Sequence, residues 1–269
     1  MKKIIFFLPI AFLLILASCM QEIGDITPTN LTITAVNETQ VKLTWEAPVD
    51  EVDGFIIEFY NENNSLVFAD TIAPTIYSKT YDPDGYVGTY KLYGYKGDSV
   101  SSPVSVSTIP TKFPTLNLTI YELDQAGNSG LGLGNAGNWA PTSYGCSQQG
   151  APDVVDFYYT DGMQGSTGLF QYLASADVIA TSWEESNVGN NTTGWRNNFI
   201  EKTSPQNGII PSTTVKRDLA VQNGVYSFKV ARGSDYYYGV LELGSVSNTQ
   251  TTIKSIKIQN IPNFRVIGR

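Results

Sequence analysis

Six carboxylates between residues 153 and 185 are the groups best suited by type to do chemistry: Asp153, Asp156, Asp161, Asp177, Glu184 and Glu185. Glycoside hydrolysis needs two carboxyl groups roughly 5 to 10 Å apart across the scissile bond. Spacing along β-rich sequence does not fix such a separation. Asp156 is the most suggestive of the six, because it interrupts the apolar run Val154 to Tyr159. A buried carboxylate needs a partner or a shifted pKa, and bonding to backbone or to an Arg explains most such residues. Catalysis by these carboxylates is therefore the outlying reading. The sequence contains no His, so Ser-His-Asp and Cys-His pairs and His metal sites are excluded. Cys146 has no base to activate it and reads as a buried thiol. Gly130-Leu131-Gly132-Leu133-Gly134 lacks the Lys-Ser/Thr of a phosphate loop and reads as a loop or loose strand. Asp82-Pro83-Asp84-Gly85 is a turn rather than a calcium loop. No catalytic residue, metal or cofactor is expected.

Binding is the more promising chemistry. Trp139, Tyr144, Trp183 and Trp195 lie in loop-like, polar-flanked segments. Large aromatics in loops can stack on sugar rings, so these four are the candidate ligand-binding residues. The competing reading makes them caps over the ends of a core. Carbohydrate is the first expected ligand class, and an envelope protein partner is the alternative.

Composition narrows the partners further. The chain has 269 residues with a net charge of −8. Removing Lys2 and Lys3 from the 17 basic residues leaves 15 against 25 acidic ones, or −10. Such a surface repels phosphate backbones, so nucleic acid is not an expected partner.

Lys2 and Lys3 precede the apolar run Ile4 to Leu16, which is too short to span a bilayer and fits a signal segment. Leu16-Ala17-Ser18-Cys19 resembles the lipobox of bacterial lipoproteins. The resemblance implies cleavage before Cys19, acylation of its thiol and new amino group, and an outer-membrane address. Several acyl chains anchor stably where one does not. Residues 19–26 then read as a tether whose Gln21, Glu22 and Asp25 form a sparse acidic tract. Such tracts mark surface export in some Gram-negative bacteria.

Residues 27–110 carry seven short alternating runs with turns between them, which predicts an antiparallel sandwich. Val41-Lys42-Leu43-Thr44-Trp45, Val52 to Phe59 and Thr89 to Tyr95 are the strongest of these. On them the segment resembles a fibronectin type III domain. The resemblance implies a spacer or protein-binding module, with Trp45 in the core and Tyr90 as the corner tyrosine.

Pro110 to Pro114 reads as a stiff linker. Residues 115–269 predict a second β-sandwich, with a short helix over Ser175 to Glu185 and a helical turn over Trp195 to Lys202. Val154 to Tyr159, Leu173 to Asp177, Gly224 to Lys229 and Tyr238 to Leu243 are similar to stretches of a domain in lipoproteins of Gram-negative polysaccharide degraders. The expected whole is all-β: a signal segment, a tether and two sandwiches.

Overall fold

The computed structural model describes residues 25–162, 170–181, 189, 191 and 193–269. The chain is all-β. Its first unit contains β1 (Thr29–Ala35), β2 (Val41–Glu46), β3 (Gly54–Asn61), β4 (Leu66–Ile72), β5 (Ser78–Tyr81), β6 (Gly88–Lys96), β7 (Ser99–Val100) and β8 (Val104–Ser107). One sheet has the order β1-β2-β5 and the other β4-β3-β6-β7, with β8 also on β6. Every pairing is antiparallel. Alternation decides the faces: Val41, Leu43 and Trp45 point inward while Lys42, Thr44 and Glu46 face water. Tyr90 is fully buried and stacked on Phe59, with centroids 4.3 Å apart. Its hydroxyl has no hydrogen-bond partner among the described residues, so the bond that a corner tyrosine usually makes is missing here.

The second unit follows without a free linker. Thr111–Phe113 is strand β9 and Leu118–Tyr121 is β10. Both lie along the same edge of β19 (Gln250–Ile258), and the Leu116 amide bonds Lys254 O between them. The Pro110 to Pro114 segment is thus mostly an interrupted edge strand, because its amides find a partner strand. The remaining elements are β11 (Gly130–Asn135), β12 (Asn138–Tyr144), α1 (Ala151–Val154), β13 (Phe157–Thr160), β14 (Tyr172–Ser175), a 3₁₀ helix (Ala176–Thr181), β15 (Phe199–Glu201), β16 (Arg217–Leu219), β17 (Val225–Arg232) and β18 (Asp235–Val246). One sheet runs β10-β19-β18-β17-β15 and the other β12-β11-β13-β14-β16.

Two segments expected to be helical fold otherwise. Ser175 does precede a helix, but a 3₁₀ turn, and residues 182–188 lie outside the described residues. The turn expected over Trp195 to Lys202 is instead extended chain leading into β15. The Asn198 side chain bonds the backbone of residues 156 and 231, which holds that segment against the sheet.

Between the two sheets lies one core containing Phe157, Tyr159, Phe228 and Leu241. A second layer covers the far face of the β11-β13-β14 sheet, with Tyr158, Val155, Ile179 and Trp195. The strand register places Tyr237 in the inter-sheet core and Tyr236 and Tyr238 on the opposite face.

The two units share buried structure. After β19 the chain turns back, and Ile261, Phe264 and Val266 enter the same cluster as Trp45, Phe55 and Tyr90. Gln259, fully buried, donates from Nε2 to Thr108 O at 3.1 Å and to Val266 O at 2.5 Å. Glu38, in the β1–β2 turn, accepts from Arg265 Nη2 at 2.9 Å and from the Tyr238 hydroxyl at 3.1 Å. Burial and then the Glu38 carboxylate push the Tyr238 phenol up to about 12. Gly85, at φ +79°, abuts Asn207 O so closely that a Cβ would sit 1.9 Å from it. Any side chain there forces the two units apart.

Phe264 contributes to a core it does not adjoin in sequence. Phe264→Ala is expected to destabilise the first unit by about 3–5 kcal/mol. Urea unfolding followed through hydrogen exchange of the β2, β3 and β6 amides checks this. An unchanged midpoint would mean that the first unit holds its core alone.

Candidate functional site

Asp156 sits just before β13 with its side chain fully buried. Its Oδ2 accepts from the Leu133 amide at 2.8 Å and from Arg232 Nη2 at 2.8 Å. Its Oδ1 accepts from Arg232 Nη1 at 2.9 Å, Asn198 Nδ2 at 3.1 Å and Arg196 Nη1 at 3.2 Å. Arg232 therefore grips the carboxylate with both terminal nitrogens, the strongest ion-pair geometry available to it. The same guanidinium donates from Nε to Gly134 O at 3.1 Å and from Nη2 at 2.7 Å. Gly134 has φ +88°, and a Cβ there would meet Ala140 N at 2.7 Å, so the carbonyl is presented by a bulge that only glycine fits. The carboxylate's acceptor positions are filled. Its role is to tie β11, β13, β17 and the approach to β15 together, as an Arg partner for a buried Asp implies.

The other carboxylates do not converge on Asp156. Asp177 is bonded to Lys216 and to the Ser175 hydroxyl. Glu122 is buried and accepts the Asp124 amide at 2.8 Å and the Asp161 amide at 3.4 Å. Burial raises its pKa, against the lowering effect of those amides. Glu184 and Glu185 lie outside the described residues.

Two of the four candidate aromatics, Trp139 and Trp195, are buried. Trp139 is 7% exposed, packs edge-to-face on Tyr237 at 5.2 Å and lies under the Arg232 guanidinium at 5.5 Å. Its Nε1 donates to Asn260 Oδ1 at 3.1 Å. Trp195 is 8% exposed, and its Nε1 donates to Asn191 O at 2.8 Å. Tyr144 is half-buried against the layer that holds Trp195, on the sheet face opposite to Trp139. Trp139 and Trp195 thus belong to two different cores, and Tyr144 packs beside the second of them. Trp183 and the lipidation candidate Cys19 lie outside the described residues. Cys146 is buried.

A different surface gathers features that the sequence reading passed over. At the N-terminal pole of the first unit, the β2–β3 and β4–β5 loops bound an open cleft of about 360 Å³. Pro48, Val49, Pro74 and Tyr77 form its apolar walls, and Asp50 and Glu51 its acidic ones. Val49 is 84% exposed, and Ile76 and Tyr77 beside it are also exposed. Two backbone bonds pin the walls: Trp45 N to Tyr77 O at 3.0 Å and Asp50 N to Asp25 O at 3.2 Å. Tyr77 also rests edge-to-face on buried Phe55 at 6.0 Å. The available signal was a pair of apolar tips, Val49 and Ile76-Tyr77, each in a proline-containing turn, one of them beside Asp50 and Glu51.

Two outcomes test this arrangement. Asp156→Asn removes the charge that neutralises Arg232 and Arg196, and is expected to cost about 3–5 kcal/mol in urea unfolding. A loss below about 1 kcal/mol would contradict the tie. Glu122 holds its proton to higher pH when folded than when unfolded. Its contribution is therefore present at low pH and lost as pH rises from the ordinary carboxylate range through its raised value. Glu122→Gln is expected to flatten that slope in unfolding midpoints measured between about pH 4 and pH 7.

Comparison with known proteins agrees with the first unit. Residues 27–94 match the fibronectin type III domain family. Three solved structures illustrate the similarity over about a third of the chain. A computer-redesigned β-sandwich protein is 22% identical, with 30% of this chain and 88% of that chain covered and a TM-score of 0.27. The fibronectin type III domain of human collagen XX is 13% identical, with 30% and 88% covered and a TM-score of 0.27. A structure described as a myokine is 17% identical, with 31% and 96% covered and a TM-score of 0.26. No curated protein matches the chain. Residues 27–94 thus form a fibronectin type III β-sandwich within an all-β chain.

Proposed function

We propose that this chain is a non-catalytic, lipid-anchored envelope protein that binds a protein partner. The observation that carries the reading is the pole of the fibronectin type III unit. Val49, Ile76, Tyr77 and Val100 are four of the nine large apolar side chains exposed among the described residues. All four belong to loops or strand ends at this one pole. Apolar groups gathered on an otherwise polar surface mark interaction sites. Carbohydrate, the first ligand class expected from the sequence, loses support because Trp139 and Trp195 are core residues. The motif Leu16-Ala17-Ser18-Cys19 supports the anchor.

The chain has a direct assay. Cys19→Ala is expected to abolish fatty-acid labelling and move the chain from the membrane fraction to the soluble one. Crosslinking the wild-type envelope is expected to recover a defined protein partner, while a glycan array probed with the same chain stays blank. A saturable array hit with no protein crosslink would overturn the reading in favour of a glycan ligand.

A further inference from the structure

We propose that the cleft between the β2–β3 and β4–β5 loops receives a Lys- or Arg-bearing extended segment of the partner protein, a proposal that rests on the protein-binding reading above. Three observations combine. The first is charge. Asp50 and Glu51 line the cleft, and neither carboxylate has a hydrogen bond or ion pair among the described residues. Asp25, Asp53 and Asp98 stand at the same pole, against one base, Lys96. A cationic group is the complement, and it gains both attraction and steering from such a field.

The second is shape and surface. A cleft of about 360 Å³ falls at the small end of ligand sites, which run from ~300 to 1,000 Å³. Its prolines and Tyr77 offer apolar walls for a methylene stem, with an aromatic ring beside the acidic rim. Lys and Arg need both kinds of surface, since the stem buries while the head keeps its charge partner. Purely apolar or anionic segments would satisfy only half of it.

The third is preorganisation and place. The bonds from Trp45 N and Asp50 N fix both walls before anything binds, which lowers the ordering cost. The chain enters the fold at this pole, where Asp25 O accepts the Asp50 amide. Cys19 lies six residues before Asp25, a reach of at most about 22 Å. With Cys19 acylated, the cleft stays close to the bilayer, and its occupant is a segment of a protein held at that same membrane.

The test places the photo-crosslinker p-benzoylphenylalanine at position 77 of the full chain in its native envelope, with position 254 on the second unit as control. The crosslinked partner peptide is sequenced by mass spectrometry. The expected peptide carries Lys or Arg within a few residues of the crosslink. Its yield should fall at least tenfold in the doubly substituted Asp50→Asn, Glu51→Gln chain and recover with Glu51→Asp on an otherwise wild-type chain. Both acids are exposed, and an unchanged unfolding midpoint confirms that the variants fold. A peptide without basic residues, or a yield indifferent to the two acids, overturns the proposal while leaving protein binding intact. Crosslinks to lipid alone overturn it in favour of a bilayer contact. Crosslinks from position 254 but none from 77 move the interface elsewhere.

Discussion

The second unit depends on one buried carboxylate. Asp156 has no exposed surface, so its charge could not remain there without compensation. Compensation comes from two arginines, an amide side chain and a backbone amide, drawn from three separate stretches of chain. An ion pair of this kind adds little net stability compared with a well-packed apolar substitute. What it supplies is geometry. The bidentate grip of Arg232 fixes where β17 lies relative to β13, and the Gly134 carbonyl under the same guanidinium fixes the bulge of β11. Trp139 completes the arrangement by covering Arg232 and closing onto Tyr237. The aromatic ring and the ion pair belong to one device, which is why the ring is buried.

The boundary between the two units is unusual in where its atoms come from. Two sandwiches joined by a linker normally keep separate cores. Here Ile261, Phe264 and Val266 reach back into the first core, and β9 replaces the linker with a strand of the second sheet. Glu38 then meets Arg265 and Tyr238 at the join. Several connections hold the units together, among them an apolar plug, the buried Gln259 hydrogen bond to Thr108 and an ion pair.

The first unit was legible in the sequence because its strands alternate cleanly, as Val41-Lys42-Leu43-Thr44-Trp45 does. The second was legible only where strands are long and aromatic, as in β17 and β18. The β11–β12 hairpin was hidden because glycine has no strand preference. Even so, Leu131 and Leu133 carry the period of two that a buried strand requires. Trp195 to Lys202 read as helical because its apolar spacing is compatible with a turn. What decides it is the bonding of the Asn198 side chain, and local pattern does not contain that partner. The same limit applied to the site. Trp139 and Trp195 sit among Gly and Asn, as binding aromatics do, but Arg232 and Tyr237 over the first and Val155, Tyr158 and Ile179 around the second are distant in sequence. Asp156 was legible in kind, since a buried Asp implies an Arg, though not which one.

The return of residues 261–266 into the first core also orders events during synthesis. Glu38 and Tyr238 are 200 positions apart, so the first sandwich cannot seal its base until nearly all the chain is available. A segment that emerges early therefore stays incompletely closed while the rest is made. Contacts of such long range also slow folding once the chain is released. The same plug that joins the two units thus acts as a timer on the first of them.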